Sequence, residues 1–265
     1  MELKKVLFSI TDGVAVISMN SPQTLNALDD HMQRELMQCF AACEHDDSVK
    51  AVIYRAEGRA FSGGGDIKAM LREMEAVPRN NALLNEGFAM PGLLARQIRS
   101  IRKPVIAVLQ GAVAGAAANI ALMCDFRIAA DDMVLIEAFI KIGLVTDGGG
   151  VYILNKLLGV AKTTELVMTG KPVDAAEALR LGLVTEVVPA TELQERALTF
   201  AHKFVKGPTL AYHHMKNLIN QAAFSDMGGY LELEAELQRI CGASNDVLEG
   251  MRSFVEKRKP AFRGN

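Results

Sequence analysis

The stretch Pro104 to Asp125, PVIAVLQGAVAGAAANIALMCD, decides how this chain is read. Pro104 to Leu109 is an unbroken apolar run rich in β-branched residues, so it predicts a strand buried on both faces. Gly111 to Ala117 are all small apart from Val113, and they turn the chain directly into a helix. A buried strand that feeds a helix is the unit of a parallel sheet with crossover helices.

The same pattern recurs outward from that stretch. Ala51 to Ala56 reads as a second buried strand, followed by a glycine turn and a helix over Ile67 to Glu75. Val6 to Ile10 and Val14 to Met19, joined at Thr11, Asp12 and Gly13, predict an antiparallel hairpin. Asp29 to His45 places Met32, Leu36, Met37 and Phe40 on one helical face, with Asp29 or Asp30 as the N-cap. A further helix is expected over Leu83 to Ile101, and shorter strands over Cys124 to Ala129 and Val134 to Ile136. From Val151 onward the pattern is almost all helical, broken at Gly159, Gly170, Val184 to Val188, Gly207 and Gly228-Gly229. The last helix, Asn245 to Arg258, carries Val247, Leu248, Met251, Phe254 and Val255 on one side and needs a partner surface in the chain or on a neighbouring subunit. The fold class is therefore α/β, as one folding unit with two regions.

Composition limits the function. With 265 residues, 50% hydrophobic and 23% charged, the chain has ample material for a core, which excludes disorder and collagen-like repeats. Its net charge of -2, from 29 Lys+Arg against 31 Asp+Glu, gives no field to attract nucleic acid or an anionic membrane surface. An anionic ligand would have to be held locally. Apolar stretches such as Gly111 to Cys124 fall short of the ~18 residues of a membrane span. Ser9, Thr11 and Asp12 interrupt the first apolar run, so no signal peptide is expected. Cys39, Cys43, Cys124 and Cys241 are too few for a disulfide framework, so a reducing cytoplasm is the expected location. Cys39 and Cys43 with His45 lack a fourth ligand at zinc-site spacing; no metal is expected, and both cysteines read as helix residues facing a core.

Several motifs fail. Gly170-Lys171 is followed by Pro172, so no Walker loop is present, and Ile153 stands where Gly148-Gly149-Gly150 would need a further glycine for dinucleotide binding. Ser62 does not sit directly after a strand as a nucleophile elbow requires. Two segments survive. Phe61 to Ile67 (FSGGGDI) and Gly111 to Ala117 (GAVAGAA) each follow a strong strand and open a helix, so both should emerge at the carboxyl ends of a parallel sheet, where ligands bind. First-turn amides have no intrahelical partner, and two of them converging on one carbonyl oxygen would form an oxyanion hole. Singly, each segment would be explained by a tight turn or close helix packing; the pairing favours a site.

Phe61 to Lys68 (FSGGGDIK), Val105 to Asp125, Ile142 to Gly150 (IGLVTDGGG) and the terminal FVEKRKPAF, taken in this order, resemble the enoyl-CoA hydratase/isomerase (crotonase) family over essentially the whole chain. The resemblance implies a spiral core of ββα units over residues 1–200 and a helical trimerisation region over 201–265, assembled as a homo-trimer or a dimer of trimers. It also implies an acyl-CoA thioester substrate whose carbonyl is held by the backbone N–H groups of Gly65 and Ala116. Coenzyme A would enter as part of that substrate, with no separate cofactor. It would lie along Asn26, Ala27, Leu28, Gly65, Asp66, Ile67 and Lys68, with Lys68 near the nucleotide phosphates and Lys257 contributed by a neighbour.

The family's hydratases use two glutamates, and at those positions this chain has Asn119 and Phe139, neither of which can act as a general base. Asp147 is read either as a helix cap or, because the segment is similar to that carrying the acid of the family's enoyl-CoA, ring-epoxide and oxepin isomerases, as the base of a 1,3-proton shift. Burial beside Phe139 and the acyl chain should raise its basicity. Glu137 shares a face with Phe139 and reads as a substitute acid or a surface carboxylate. Aromatic dehalogenation is disfavoured, because the tryptophan of those relatives is replaced by Phe139 and the chain has no Trp. A catalytically silent acyl-CoA binder is the alternative outside enzymology. Leu71 to Gly92 is expected to line the acyl pocket, and His213-His214 to cap or decorate helices.

Overall fold

The computed structural model describes residues 2–76 and 83–265, and at 83–88 the backbone alone. A six-stranded sheet runs in the spatial order β1 (Val6–Thr11), β2 (Val14–Met19), β3 (Ala51–Ala56), β4 (Val105–Leu109), β6 (Phe126–Ala130) and β9 (Glu186–Val188). Only β1 pairs antiparallel; Thr11 faces Val14 across Asp12 and Gly13, whose φ angles of 49° and 79° fit the tight turns that match strand twist. The remaining pairs are parallel. A second sheet contains β5 (Ala112–Ala114), β7 (Val134–Ile136) and β8 (Val173–Asp174), in that order.

Alternation of side chains explains why the large sheet is covered on both faces. Ala51, Ile53, Ile106, Val108 and Ile128 face one apolar cluster, which α7 (Leu193–Val205) closes with Leu193, Ala197 and Ala201. Val52, Tyr54, Val105 and Ala107 face the main core, into which α1 (Asp30–His45) and α3 (Leu83–Ser100) pack. Asp29 caps α1, its Oδ1 accepting from the Met32 amide at 2.8 Å. Cys39 and Cys43 lie on the buried face of α1, and burial pushes both thiols up to about 12. No group of His, Cys, Asp and Glu able to hold a metal occurs among the described residues.

From β4 onward the chain repeats a strand of the large sheet, a short strand of the small one, then a helix. β4 and β5 lead into α4 (Gly115–Leu122), and β6 and β7 lead through a 3-10 turn (Phe139–Ile142) into α5 (Gly150–Thr169). These are the ββα units of the expected spiral. β8, α6 (Ala175–Arg180) and β9 complete the circuit. Two strand assignments differ from expectation. β6 begins at Phe126, because Cys124 and Asp125 form the turn before it and Asp125 Oδ2 accepts from the Val105 amide at 2.8 Å. Val184 to Val188, expected only to break the helical pattern, supplies β9 at the sheet edge, where Arg127 donates from Nε to the Leu183 carbonyl at 2.6 Å.

The C-terminal helices α8 (Thr209–Ala223), α9 (Met227–Gly242) and α10 (Asn245–Val255) turn back onto this core. α9 lies along α3, while α10 lies against α2 (Ile67–Ala76) and the 3-10 turn. Val247, Leu248 and Met251 of α10 are buried within the chain, and Gly250 approaches so closely that a Cβ there would stand 2.6 Å from the Ile142 backbone. Beneath α8, Asp125 accepts from Arg99 at 3.0 Å and from Lys216 at 2.6 Å, tying α3, α8 and the start of β6 together. Among the described residues no helix is long and apolar enough to cross a membrane.

Candidate active site

The two glycine-rich segments lie side by side. The Ser62 amide donates to the Ala112 carbonyl at 2.9 Å and the Ala114 amide to the Ser62 carbonyl at 3.1 Å, so the segment before α2 runs as an extra strand along β5. Gly64 has a φ of 96° and passes so near that a Cβ there would lie 3.4 Å from the Ala114 carbonyl oxygen. Ser62 is fully buried; its hydroxyl donates to the Asn26 carbonyl and accepts from the Gly64 amide, a bracing role that leaves no nucleophile. Gly65 stands just before α2 and Ala116 in the first turn of α4, where amides lack intrahelical acceptors. Both line one cavity of about 430 Å³.

Asp147 lines the same cavity, as do Phe139, Ile142 and Leu144. The chain leaves Asp147 through a turn in which Gly148 and Gly149 take φ values of 64° and 79°, a left-handed geometry that side chains resist. The turn is fitted tightly to α4: a Cβ at Gly150 would stand 2.4 Å from Asn119 Nδ2, and that Nδ2 donates to the Asp147 carbonyl at 2.7 Å. Asn119 thus holds the backbone of Asp147. The capping reading of Asp147 fails, since the N-cap of α5 is Gly149 with no side-chain cap; Asp147 offers only its backbone carbonyl, to the Gly150 amide at 3.2 Å.

Asp147 is 7% exposed, and the neighbours of its carboxyl are unusual. Oδ2 accepts from Gln238 Nε2 at 3.3 Å, while Oδ1 has no hydrogen-bond partner. Burial holds this carboxyl well above the usual range, reinforced by the charges of Glu234 and Glu137 and opposed by the Gln238 hydrogen bond. Glu137 is 1% exposed, which corrects its reading as a surface carboxylate. Burial pushes it up to about 8, opposed by the nearby Asn119 amide, and neither of its oxygens has a hydrogen-bond partner. Glu234 rises to about 7, again chiefly by burial. Three buried carboxyls whose charges act on one another cannot all ionise cheaply, which is why each is shifted upward.

The structure brings together Leu28, Gly65, Asp66, Ile67, Ala116, Phe139 and Asp147 on the cavity wall. Asp66 also caps α2, its Oδ1 accepting from the Ala69 amide at 3.0 Å. Asn26 is fully buried and braces the loop instead, taking the Ser21 amide at 2.8 Å and donating to the Glu57 and Ala60 carbonyls at 2.8 and 3.0 Å; it and Ala27 are not on the wall. Lys68 and Lys257 are exposed and outside the lining. Of the expected pocket segment Leu71 to Gly92, Glu73 and Pro91 line the cavity, and 77–82 lie outside the described residues. Glu234 and Gln238 carry no motif and escape a reading of sequence. Their signal is two polar residues four apart on the buried face of an amphipathic helix.

Comparison with known proteins finds relatives over the whole length of the chain. Residues 9–265 match the family model described as enoyl-CoA hydratase/isomerase. The chain is 33% identical to the trans-2-decenoyl-[acyl-carrier-protein] isomerase of Streptococcus mutans, covering 100% of both chains. It is 32% identical to the 1,2-epoxyphenylacetyl-CoA isomerase of Escherichia coli, covering 98% of each. Among solved structures, an enoyl-CoA hydratase from Mycobacterium avium subsp. paratuberculosis superposes with a TM-score of 0.88 at 29% identity, over 99% of this chain and 100% of that one.

Proposed function

Because the chain belongs to the enoyl-CoA hydratase/isomerase family, we propose that it is an acyl-thioester isomerase that moves a double bond from the 3- to the 2-position. The observation that carries this reading is Asp147, a buried carboxyl with one unpartnered oxygen on the cavity wall, in a chain that has Asn119 and Phe139 where hydratase acids would stand. Two isomerases among the relatives support it.

In this mechanism Asp147 removes a proton from C2 of a 3-enoyl thioester. The electron pair moves onto the carbonyl oxygen as a dienolate, which accepts hydrogen bonds from the Gly65 and Ala116 amides. Each preorganised donor of this kind contributes about 3 kcal/mol in the transition state. The same carboxyl returns the proton at C4, the double bond settles between C2 and C3, and Asp147 ends as it began. One base is sufficient, whereas hydration needs a water-activating group as well. Apolar Phe139, Ile142 and Leu144 keep the base dry and therefore basic.

The test is conversion of 3-decenoyl-CoA, and of the same acyl group on an acyl carrier protein, to the conjugated thioester, followed by ultraviolet absorbance. Asp147→Asn should lower turnover by roughly 10³-fold while leaving thioester binding in place. Undiminished turnover by that variant, or rapid hydration of crotonyl-CoA by the parent, overturns the assignment. Trimeric assembly belongs to the same proposal. Leu210, Met215 and Leu218 on α8 are 71%, 58% and 66% exposed in the single chain and offer apolar surface for a subunit contact.

A further inference from the structure

Resting on the reading of Asp147 as the base, we propose that Gln238 and Glu234, one turn apart on α9, are its positioning residues: Gln238 fixes one carboxyl oxygen and Glu234 fixes the turn that carries it. Gln238 is fully buried, and its Nε2 reaches Oδ2 of Asp147 at 3.3 Å, leaving Oδ1 as the oxygen available to a proton. Glu234 Oε1 accepts from the Gly149 amide at 2.8 Å, which pins the left-handed Gly148-Gly149 turn to α9. Asn119 holds the same turn from the α4 side at 2.7 Å. The base is thus clamped between a helix of the spiral core and a helix of the C-terminal region.

Neither α9 side chain is accounted for by packing alone. Glu234 Oε2 and Gln238 Oε1 are buried without hydrogen-bond partners, and such atoms cost stability unless another role retains them. The groups that face Asp147 are Glu234 and Gln238 from α9, Glu137 from the end of β7 and the neutral Asn119 from α4. Tyr230, a turn before Glu234 on α9, lies beside the Glu234 carboxyl and opposes its upward shift. Glu234 and Gln238 act on Asp147 with opposite sign: the carboxylate raises its basicity and the amide donor lowers it.

That opposition provides the test. Glu234→Gln keeps an oxygen for the Gly149 amide but removes the charge, so the acid limb of the kcat profile should move to lower pH. Gln238→Leu removes the donor, so the limb should move to higher pH, with kcat at its plateau falling roughly tenfold and KM little changed. Difference infrared titration of the Asp147 carboxyl, each protein against its own Asp147→Asn counterpart, reads the same midpoints without substrate. A parent enzyme that isomerises nothing would refute the reaction, while the infrared midpoints would still decide whether α9 controls Asp147. Midpoints unchanged in both variants, or moving in the same direction, overturn the proposal. Should Gln238→Leu fail to fold, Gln238→Met is read in its place.

Discussion

At the residue scale the site turns on a side chain that acts by where it sits. Asn119 donates to the backbone of the residue proposed as base, and Gly150 leaves space for it. Gly150→Ala should therefore displace the Asn119 amide, loosen the Asp147 turn and lower kcat by roughly 10 to 10² with the fold retained, as steady-state kinetics and circular dichroism would show. Glu137 gives a second prediction. Its folded pKa of about 8 lies above the ordinary value of 4.5, so the native state binds the extra proton and stability falls as pH rises between those two values. Glu137→Gln should remove that decline. At pH 8 and above the variant should exceed the parent in denaturant unfolding by on the order of 4 kcal/mol, whereas near pH 4 the two should converge.

At the scale of elements, legibility followed periodicity. Pro104 to Leu109 and Ala51 to Ala56 announced themselves because a strand buried on both faces must be continuously apolar, and both are strands of the central sheet. Glu186 to Val188 did not, since three residues carry no period and the strand exists only because β6 offers it an edge. The two glycine-rich segments were readable in sequence because backbone demands leave glycines behind. The α9 contribution was hidden, because Glu234 and Gln238 look like any polar pair on a helix until the fold places Asp147 beside them. Glu137 was misjudged for a related reason: its alternation with Phe139 indicated a shared face without showing that the face was buried.

At the scale of the whole molecule, the C-terminal helices are joined to the sheet by charge as well as by apolar contact. Asp125 neutralises Arg99 and Lys216, both less than 10% exposed, at the junction of α3, α8 and β6. Asp125→Ala would leave two buried cations without their carboxylate and should cost about 3–5 kcal/mol in chemical unfolding. Replacing Leu210 and Leu218 together with glutamate should, if α8 forms the subunit contact, reduce the particle mass seen by light scattering while leaving the circular dichroism of the chain intact.

The clamp on Asp147 also imposes a timetable. Every strand of the large sheet precedes Pro189, and Asp147 itself is translated well before Gln238. A growing polypeptide can therefore complete its sheet and both glycine-rich turns while its acid still lacks the partners that α9 brings. Competence would arrive late in synthesis, when α9 docks, and a protease that nicked the chain between α8 and α9 could silence the protein without unravelling its centre.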